Sequence, residues 1–478
     1  MKARYAAATH SVLAFGVALR LGLALATPAE RAYDDHYPPV RIILTEHRLP
    51  DASDCWECYQ PPLYYLISAG LTAAWQKLTD ASDLEKITRR VLQLVSTAAG
   101  CATLYVCWLA YRSFGGPRRL EALAVAPVAV LPAHIRMSSM ATNDAFTHFV
   151  ASCAIYPALR AGTANWTTRA CLLAGALAGT AVLSKAYGWV TVAAVVLATA
   201  YATRSGETVR ASRLRAWRSG PALITLAAAL AVGLWPGLRN LHTYGSFHVD
   251  NFELRDSPMR FQPPGSVRQI SFFSFRLGDL LRNPWLHMSH VDSFWTELYG
   301  RMWFDYEGFN TTLAPYPPWQ ELWRRCAQKY PLWERARWEM LLSYQRDEVP
   351  PAYRPSAVMS YLAGLPITLA ILAGLALGTW RSRGDWRYLL VAVHLVLAVA
   401  VPLVQTLRLP HFAAMKAAFA LSGLSSVPVL LGLLADAPRW RALRVGLQGL
   451  LWVSLAAVAC AQIAFVWVQF HVTWDPTN

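Results

Sequence analysis

Two adjacent carboxylates, Asp34 and Asp35, follow the first apolar run of the chain in the string Tyr33-Asp34-Asp35-His36. At a water–lipid boundary, partial desolvation and mutual repulsion disfavour two neighbouring charges, and a carboxylate tuned in that way serves as a general base. A third acid, Asp144, closes Ser138-Ser139-Met140-Ala141-Thr142-Asn143-Asp144 at the end of another apolar run. The plainer alternatives are a solvated pair that ends a helix and an N-cap for the helix that follows. Cations are spaced along the same chain: Lys185 in Leu183-Ser184-Lys185-Ala186-Tyr187-Gly188, Arg239 in Arg239-Asn240-Leu241-His242-Thr243-Tyr244-Gly245, then Arg408, His411 and Lys416. A cation beside an apolar helix faces a polar cavity or a counter-ion, and a lipid phosphate is a fitting one, unless the side chain snorkels to the headgroups.

Of the 8 cysteines, Cys101, Cys107, Cys153, Cys171 and Cys460 lie in apolar runs, where Cys behaves as a small hydrophobe. Cys55 and Cys58 form one C-x-x-C, which is half a zinc site at most; a local disulfide, a metal role and free thiols are the alternatives. The aromatic string from Phe294 to Phe304 fits either a cover for a sugar or lipid or an interfacial belt. No Walker loop, G-x-G-x-x-G fingerprint or G-x-S-x-G elbow is present, which argues against a nucleotide-driven pump and a serine hydrolase.

The elements that must position these residues are membrane helices. The 478 residues are 55% hydrophobic and 15% charged, with a mean hydropathy of +0.27, a balance that points to lipid as solvent. The net charge of +15 resides in short clusters between apolar runs, not in one stripe, which argues against a nucleic-acid partner. About eleven runs are long enough to cross a bilayer: residues 8–27, 90–111, 120–140, 145–161, 170–184, 187–203, 220–237, 357–379, 388–404, 411–434 and 446–468. The run from Pro61 to Trp75 is short, opens on two prolines and carries Tyr64 and Tyr65, which suits an interfacial helix. If it does not cross, the basic clusters of the short loops, such as Arg112, Arg118 and Arg119, or Arg381, Arg383 and Arg387, all fall on the cytoplasmic side. The first run resembles a signal peptide, but Arg20 within it and the acids beyond it favour an uncleaved anchor.

The expectation is an all-α polytopic membrane protein with interfacial helices in the first outward loop and a small outward domain. Residues 1–237 form an N-terminal catalytic module with its outward loop at 28–89. Residues 238–356 form a large extracytoplasmic segment, and 357–478 the C-terminal membrane helices.

The strings Tyr33-Asp34-Asp35-His36-Tyr37, Glu57-Cys58-Tyr59-Gln60-Pro61-Pro62-Leu63-Tyr64-Tyr65, Leu131 to Ala145, Leu183 to Gly188 and Arg239 to Gly245 occur in an order that resembles the GT-C class of membrane glycosyltransferases. Within that class the chain is similar to the protein O-mannosyltransferase and aminoarabinose transferase group, over about the first half of the chain, with a weaker echo at Arg408 to Phe419. The resemblance implies transfer of a sugar from a polyprenyl-phosphate donor to a protein, lipid or glycan on the outer face, in a plasma membrane of bacterial inner-membrane type. It implies a base at Asp34 or Asp35, a second-loop acid at Asp144, donor-phosphate contacts from Lys185, Arg239, Arg408 and Lys416, and substrate contacts from His36, Gln60 and Tyr64. The chain departs from the commoner pattern at Asp35, where Glu often stands, and at Gln60, where His or Lys often precedes the prolines. Whether a divalent metal takes part is left open. Two other classes fit the composition: a transporter or lipid flippase, and a non-catalytic scaffold.

Overall fold

A computed structural model describes residues 2–32, 36–79, 82–164, 166–204, 220–249, 271–284, 293–304, 351–408 and 417–474. Among these the architecture is helical, with one isolated bridge between Ser271 and Ser293 in place of any strand. Asp34, Asp35, His411, Lys416 and most of segment 238–356 lie outside the described residues.

The N-terminal half comprises α1 (Lys2–Ala26), α2 (Tyr37–Glu46), α3 (Leu63–Thr79), α4 (Leu84–Phe114), α5 (Glu121–Val130), α6 (Pro132–Ser139), α7 (Asn143–Ala164), α8 (Thr168–Ser184), α9 (Trp189–Arg204), α10 (Gly220–Gly233) and α11 (Trp235–Tyr244). Two short helices follow, α12 (Leu277–Arg282) and α13 (Phe294–Trp303). The C-terminal part is α14 (Arg354–Arg381), α15 (Trp386–Arg408), α16 (Ala417–Ala420), α17 (Val427–Asp436) and α18 (Arg441–Trp474).

Among the described residues, 6 helices suffice by length and hydropathy to cross a membrane, or up to 8 when each of two bent pairs counts as one span. The chain is thus an integral membrane protein. The expected runs at 145–161, 170–184 and 187–203 fold as α7, α8 and α9, which are outside that set. Helix α3 is also outside it, and opens directly after Pro61 and Pro62, whose rings fix the backbone ahead of a first helical turn.

The bent pairs have local causes. Pro132 cannot donate to the ladder of α5, so the chain breaks at Leu131 and turns by 56° into α6. Pro236 does the same after α10, with a bend of 54° into α11. Helix α4 has 31 residues and runs the length of the bundle, about 46 Å at the usual rise. Asp83 caps its start through the Lys86 amide at 3.0 Å, and Gly115 ends it with φ +86, a conformation glycine adopts without strain.

The two ends of α4 differ in chemistry. At its C-terminal end Arg112 faces Glu121, Arg119 and Arg444 pair with Asp436, and Arg387 joins Asp385 to the Phe114 carbonyl. At its other end gather the polar residues of the first-loop, α6–α7 and α8–α9 junctions.

Helices α8 and α10 approach through small residues. A Cβ added at Gly175 would stand 2.2 Å from the Thr225 carbonyl oxygen, and one at Gly179 2.4 Å from that of Ala229. Such small-xxx-small spacing supports close helix packing where burial from water supplies no drive. Gly179→Leu should therefore lower stability in detergent by about 1–3 kcal/mol. Gly446→Ala, with nothing within 4 Å of the new methyl, should leave the thermal unfolding midpoint in place.

Candidate active site at the polar end of the bundle

The site is built on the first turn of α7. Thr142 precedes the helix and its hydroxyl lies 3.3 Å from the Asp144 amide, so Thr142 is the cap. Asp144 is not a cap, contrary to the plainer expectation: its side chain turns into the protein and is 2% exposed. Lys185, the residue after α8, is extended at φ −163 and ψ 146, which sends its side chain back across α7. Its Nζ donates to Asp144 Oδ1 at 2.8 Å and to Asn143 Oδ1 at 2.9 Å. The Tyr187 hydroxyl donates to the same Asp144 Oδ1 at 2.9 Å, and the Thr142 hydroxyl reaches Oδ2 at 3.2 Å.

Gly188 makes this turn feasible, since a Cβ there would meet the Ala181 backbone at 2.3 Å. With Lys185 8% exposed, the ion pair is buried, and a buried carboxylate needs both a matching charge and saturated hydrogen bonds. The α7 N-terminus adds its dipole to that matching charge.

A second set of hydrogen bonds joins this acid to the first loop. Gln93 of α4 directs Nε2 to the Thr27 and Ser139 carbonyls, each at 2.9 Å, bracketing the end of α1 and the end of α6. Thr97 donates to the Ser138 carbonyl at 2.7 Å and Ser96 to that of Thr142 at 2.8 Å. The Ala141 amide donates to the Ala32 carbonyl at 3.0 Å.

Tyr64, expected as a substrate contact, is fully buried and donates to the Leu92 carbonyl at 2.9 Å. His36, also buried, pairs through Nδ1 with the Tyr65 hydroxyl at 2.7 Å. Gln60 bonds Glu57 Oε2 at 3.1 Å and the Tyr59 hydroxyl at 2.7 Å. Asp34 and Asp35 lie outside the described residues; their flanks, Ala32 and His36, are both fixed to this shelf.

Arg239 is engaged elsewhere. Its guanidinium donates to Asp51 Oδ1 at 2.6 Å and to the Pro50 carbonyl at 3.0 Å, so it clamps the first loop onto α11. Beside it the Ala52 amide donates to the Tyr244 hydroxyl at 2.9 Å. Arg408 ends α15, its side chain outside the described atoms, and Lys416 is outside altogether. Cys55 and Cys58 form a disulfide, which resolves the alternatives left by their spacing. No cluster of three or more His, Cys, Asp or Glu suited to a metal occurs among the described residues. The aromatic string at 294–304 is largely interior, with Phe294 buried and Trp303 2% exposed, and it packs on α14 through Trp303 Nε1 to Thr368 at 2.8 Å.

Sequence reasoning missed the buried Arg136 and His148 and the partners of Arg20. Arg20 donates to the Val128 and Ala129 carbonyls that the α5 break orphans, at 2.8 and 3.0 Å, and to His134 Nδ1 at 2.7 Å. Arg136 is 1% exposed, with its guanidinium between the rings of Phe304 and Phe465 at 4.5 and 4.2 Å. His148, one turn beyond Asp144, bonds the Ala418 carbonyl through Nε2 at 2.8 Å and stacks on Tyr187 with its ring centroid 6.4 Å away. It thereby ties the acid's neighbour to the C-terminal helices. Arg20 stood out as a charge in an apolar run, but nothing in the sequence pairs it with a break at Pro132, which lies inside the run read as one crossing at 120–140.

No known protein family matches the sequence, and no curated protein does. Among solved structures, the oligosaccharyltransferase of Archaeoglobus fulgidus in complex with zinc and sulfate aligns at a TM-score of 0.52 and 13% identity, covering 96% of this chain and 53% of that one. The same archaeal protein tethered to an acceptor peptide with an NVT sequon aligns at 0.50 and 13%, over 97% and 55%. ArnT from Cupriavidus metallidurans aligns at 0.38 and 16%, over 89% and 77%. The chain thus spans about half the length of the archaeal protein, and at these identities the likeness is one of fold.

Two outcomes test the site. Lys185→Met strands a buried carboxylate and should cost about 3–5 kcal/mol, whereas Asp144→Leu combined with Lys185→Met should recover most of it; thermal unfolding in detergent reads both. In the first loop, the hydrogen bond from Arg48 holds the Asp54 carboxyl below its ordinary 3.8. A lowered pKa stabilises the fold above the ordinary value and is lost as pH falls through the lowered one. Protection of the amides at 46–54 from hydrogen exchange, corrected for intrinsic rate, should hold from pH 7 to about 5 and fall below about 4. In Arg48→Ala that acid-dependent step should shrink.

Proposed function

We propose that this chain, whose fold is that of the GT-C membrane glycosyltransferases, transfers a sugar from a polyprenyl-phosphate carrier to an acceptor on the extracytoplasmic face of a plasma membrane. The observation that carries the reading is the shelf that fixes Asp144 and both flanks of Asp34 and Asp35 at one end of the bundle. The opposite end holds the arginines of the short loops, which the positive-inside tendency assigns to the cytoplasm. In this reading all eleven apolar runs cross, α7 to α9 included, and the membrane modules flank an outward segment at 238–356.

The reaction is a displacement at the anomeric carbon. Asp34 or Asp35 takes the acceptor proton, the acceptor atom bonds to that carbon, and the carbon–oxygen bond to phosphate breaks with its electron pair on the phosphate. Attack from the face opposite the leaving group inverts the anomeric centre. Asp144, already paired to Lys185, is a fixed negative post and not the base. Of the expected phosphate-binding cations, Lys185 and Arg239 carry carboxylate partners, so Arg408 and Lys416 are assigned the departing phosphate. No step is routed through a metal, and the acceptor is a protein, lipid or glycan; an acceptor peptide is what the archaeal neighbour holds.

A transporter reading has one observation on its side, the buried Arg20, His134 and His148 inside the bundle. Arg20, however, directs its terminal guanidinium nitrogens to carbonyls and to His134 of its own protein.

Asp34→Asn and Asp35→Asn, made singly, test the assignment. In protein that unfolds at the wild-type temperature, one of them should lower sugar transfer from a lipid-linked donor by about 100-fold to 10,000-fold. Full turnover in both would remove the first-loop acids from the reaction, and substrate flux into vesicles without transfer would favour the transporter.

A further inference from the structure

We propose that Cys55–Cys58 is a thiol–disulfide exchange site for a dithiol oxidoreductase of the extracytoplasmic space, and that its oxidation state governs the shelf beside the candidate acids. The two cysteines are 3 apart in sequence and joined. Their exposure is unequal: Cys55 is half-buried, while Cys58 is 4% exposed. A reducing thiolate therefore meets Cys55 Sγ. The new sulfur–sulfur bond forms there, the Cys55–Cys58 bond breaks, and the electron pair leaves on Cys58, which takes up a proton. The second thiol of the reductant then displaces Cys55, which leaves with its own electron pair and proton, so the reductant ends as a disulfide and the loop as two thiols.

The turn that the disulfide closes carries one structural task. Within it the Cys58 amide bonds the Cys55 carbonyl and the Gln60 amide bonds that of Glu57, each at 3.2 Å. The Glu57 carbonyl also accepts from the Tyr65 hydroxyl at 3.3 Å, and that hydroxyl pairs with His36 Nδ1. His36 directly follows Asp34 and Asp35 in sequence. The preceding stretch is held without the disulfide: Arg48 pairs with Glu46 and Asp54 at 2.8 and 2.6 Å, and Arg239 with Asp51 at 2.6 Å. A ring this short removes little chain entropy from the unfolded state, so its opening acts on the turn and not on the whole fold. Reduction thus loosens the Glu57 end of the hydrogen bonds that run through Tyr65 to His36, while the Arg48 and Arg239 clamps stay closed. The effect on sugar transfer rests on the function proposed above; the exchange itself does not.

The full-length protein in detergent is treated with oxidised glutathione after brief reduction, and with dithiothreitol, each followed by alkylation and peptide mass spectrometry. Deuterium uptake and sugar transfer are measured on the same samples. The expected results are glutathione on Cys55 in preference to Cys58, two alkylatable thiols after dithiothreitol, and faster deuterium uptake at 55–66 with none added at 84–114. Transfer should fall at least about tenfold on reduction, because a small displacement beside a reacting group is costly. It should return on reoxidation. The Cys55→Ser, Cys58→Ser double variant should show no response to dithiothreitol. Glutathione on Cys58, resistance of the disulfide to dithiothreitol in the folded protein, or unchanged uptake at 55–66 on reduction would overturn the exchange site. If uptake responds but the oxidised protein transfers no sugar, the function fails and the exchange site stands.

Discussion

A carboxylate buried in an apolar bundle persists as an anion only where a cation and several donors meet it, and the pairing of Asp144 with Lys185 supplies that condition. The rest of the polar end follows from it. Lys185 must leave α8 extended to reach α7, Gly188 must let the chain fold back, and Tyr187 then lands where its hydroxyl completes the acid's shell. Once the start of α7 is fixed, the turn before it is fixed as well. Thr97 and Gln93 of α4 satisfy the carbonyls at 138 and 139, which end α6 with no further turn to receive them, and Ser96 adds a bond to the carbonyl of 142. Through the same turn Ala141 holds Ala32, the last described residue before the acid pair.

The same accounting explains the interior arginines. A break at Pro132 strands carbonyls of α5 away from water, and Arg20 reaches across from α1 to take them. The break in turn lets α6 tilt, which places Arg136 between Phe304 and Phe465 and brings α13 and α18 to the same wall. Lipid solvation enforces both arrangements, because an unsatisfied backbone group in hydrocarbon has no water to turn to. The first loop adds exposed ion pairs and one disulfide to its buried bonds, and these are the contacts that pH, salt or a reductant in water can alter.

Much of this was legible in the sequence. Among the described residues the apolar runs became helices, the prolines at 61 and 62 marked the start of a helix outside the spanning set, and Arg112, Arg119, Arg387 and Arg444 gathered at one end. The threading of the apolar runs set Asp144 on the same side as the first loop, and the Ala141 amide, three residues before it, bonds the Ala32 carbonyl. Partnerships were not legible. Lys185 and Arg239 were equally plausible phosphate ligands as isolated cations, yet each has a carboxylate that lies far off in sequence: Asp144 for one, Asp51 for the other. Tyr64 looked like a substrate contact from its motif, but its hydroxyl bonds α4, a use that only the packing of α3 against α4 reveals. Arg136 and His148 gave no signal, since their partners are rings and a carbonyl from other helices.

In the proposed reaction one cavity holds the first-loop acids, the anchored Asp144 and the phosphate of a lipid carrier. An experimental density map of the protein with undecaprenyl phosphate in lipid nanodiscs tests it directly. The phosphate is expected beside the junction of Ala32 and Ala141, with Asp34 and Asp35 facing it and Lys185 still on Asp144. A phosphate bound at the end that carries Arg119, Arg387 and Arg444, or acids turned away from it into solvent, would contradict it.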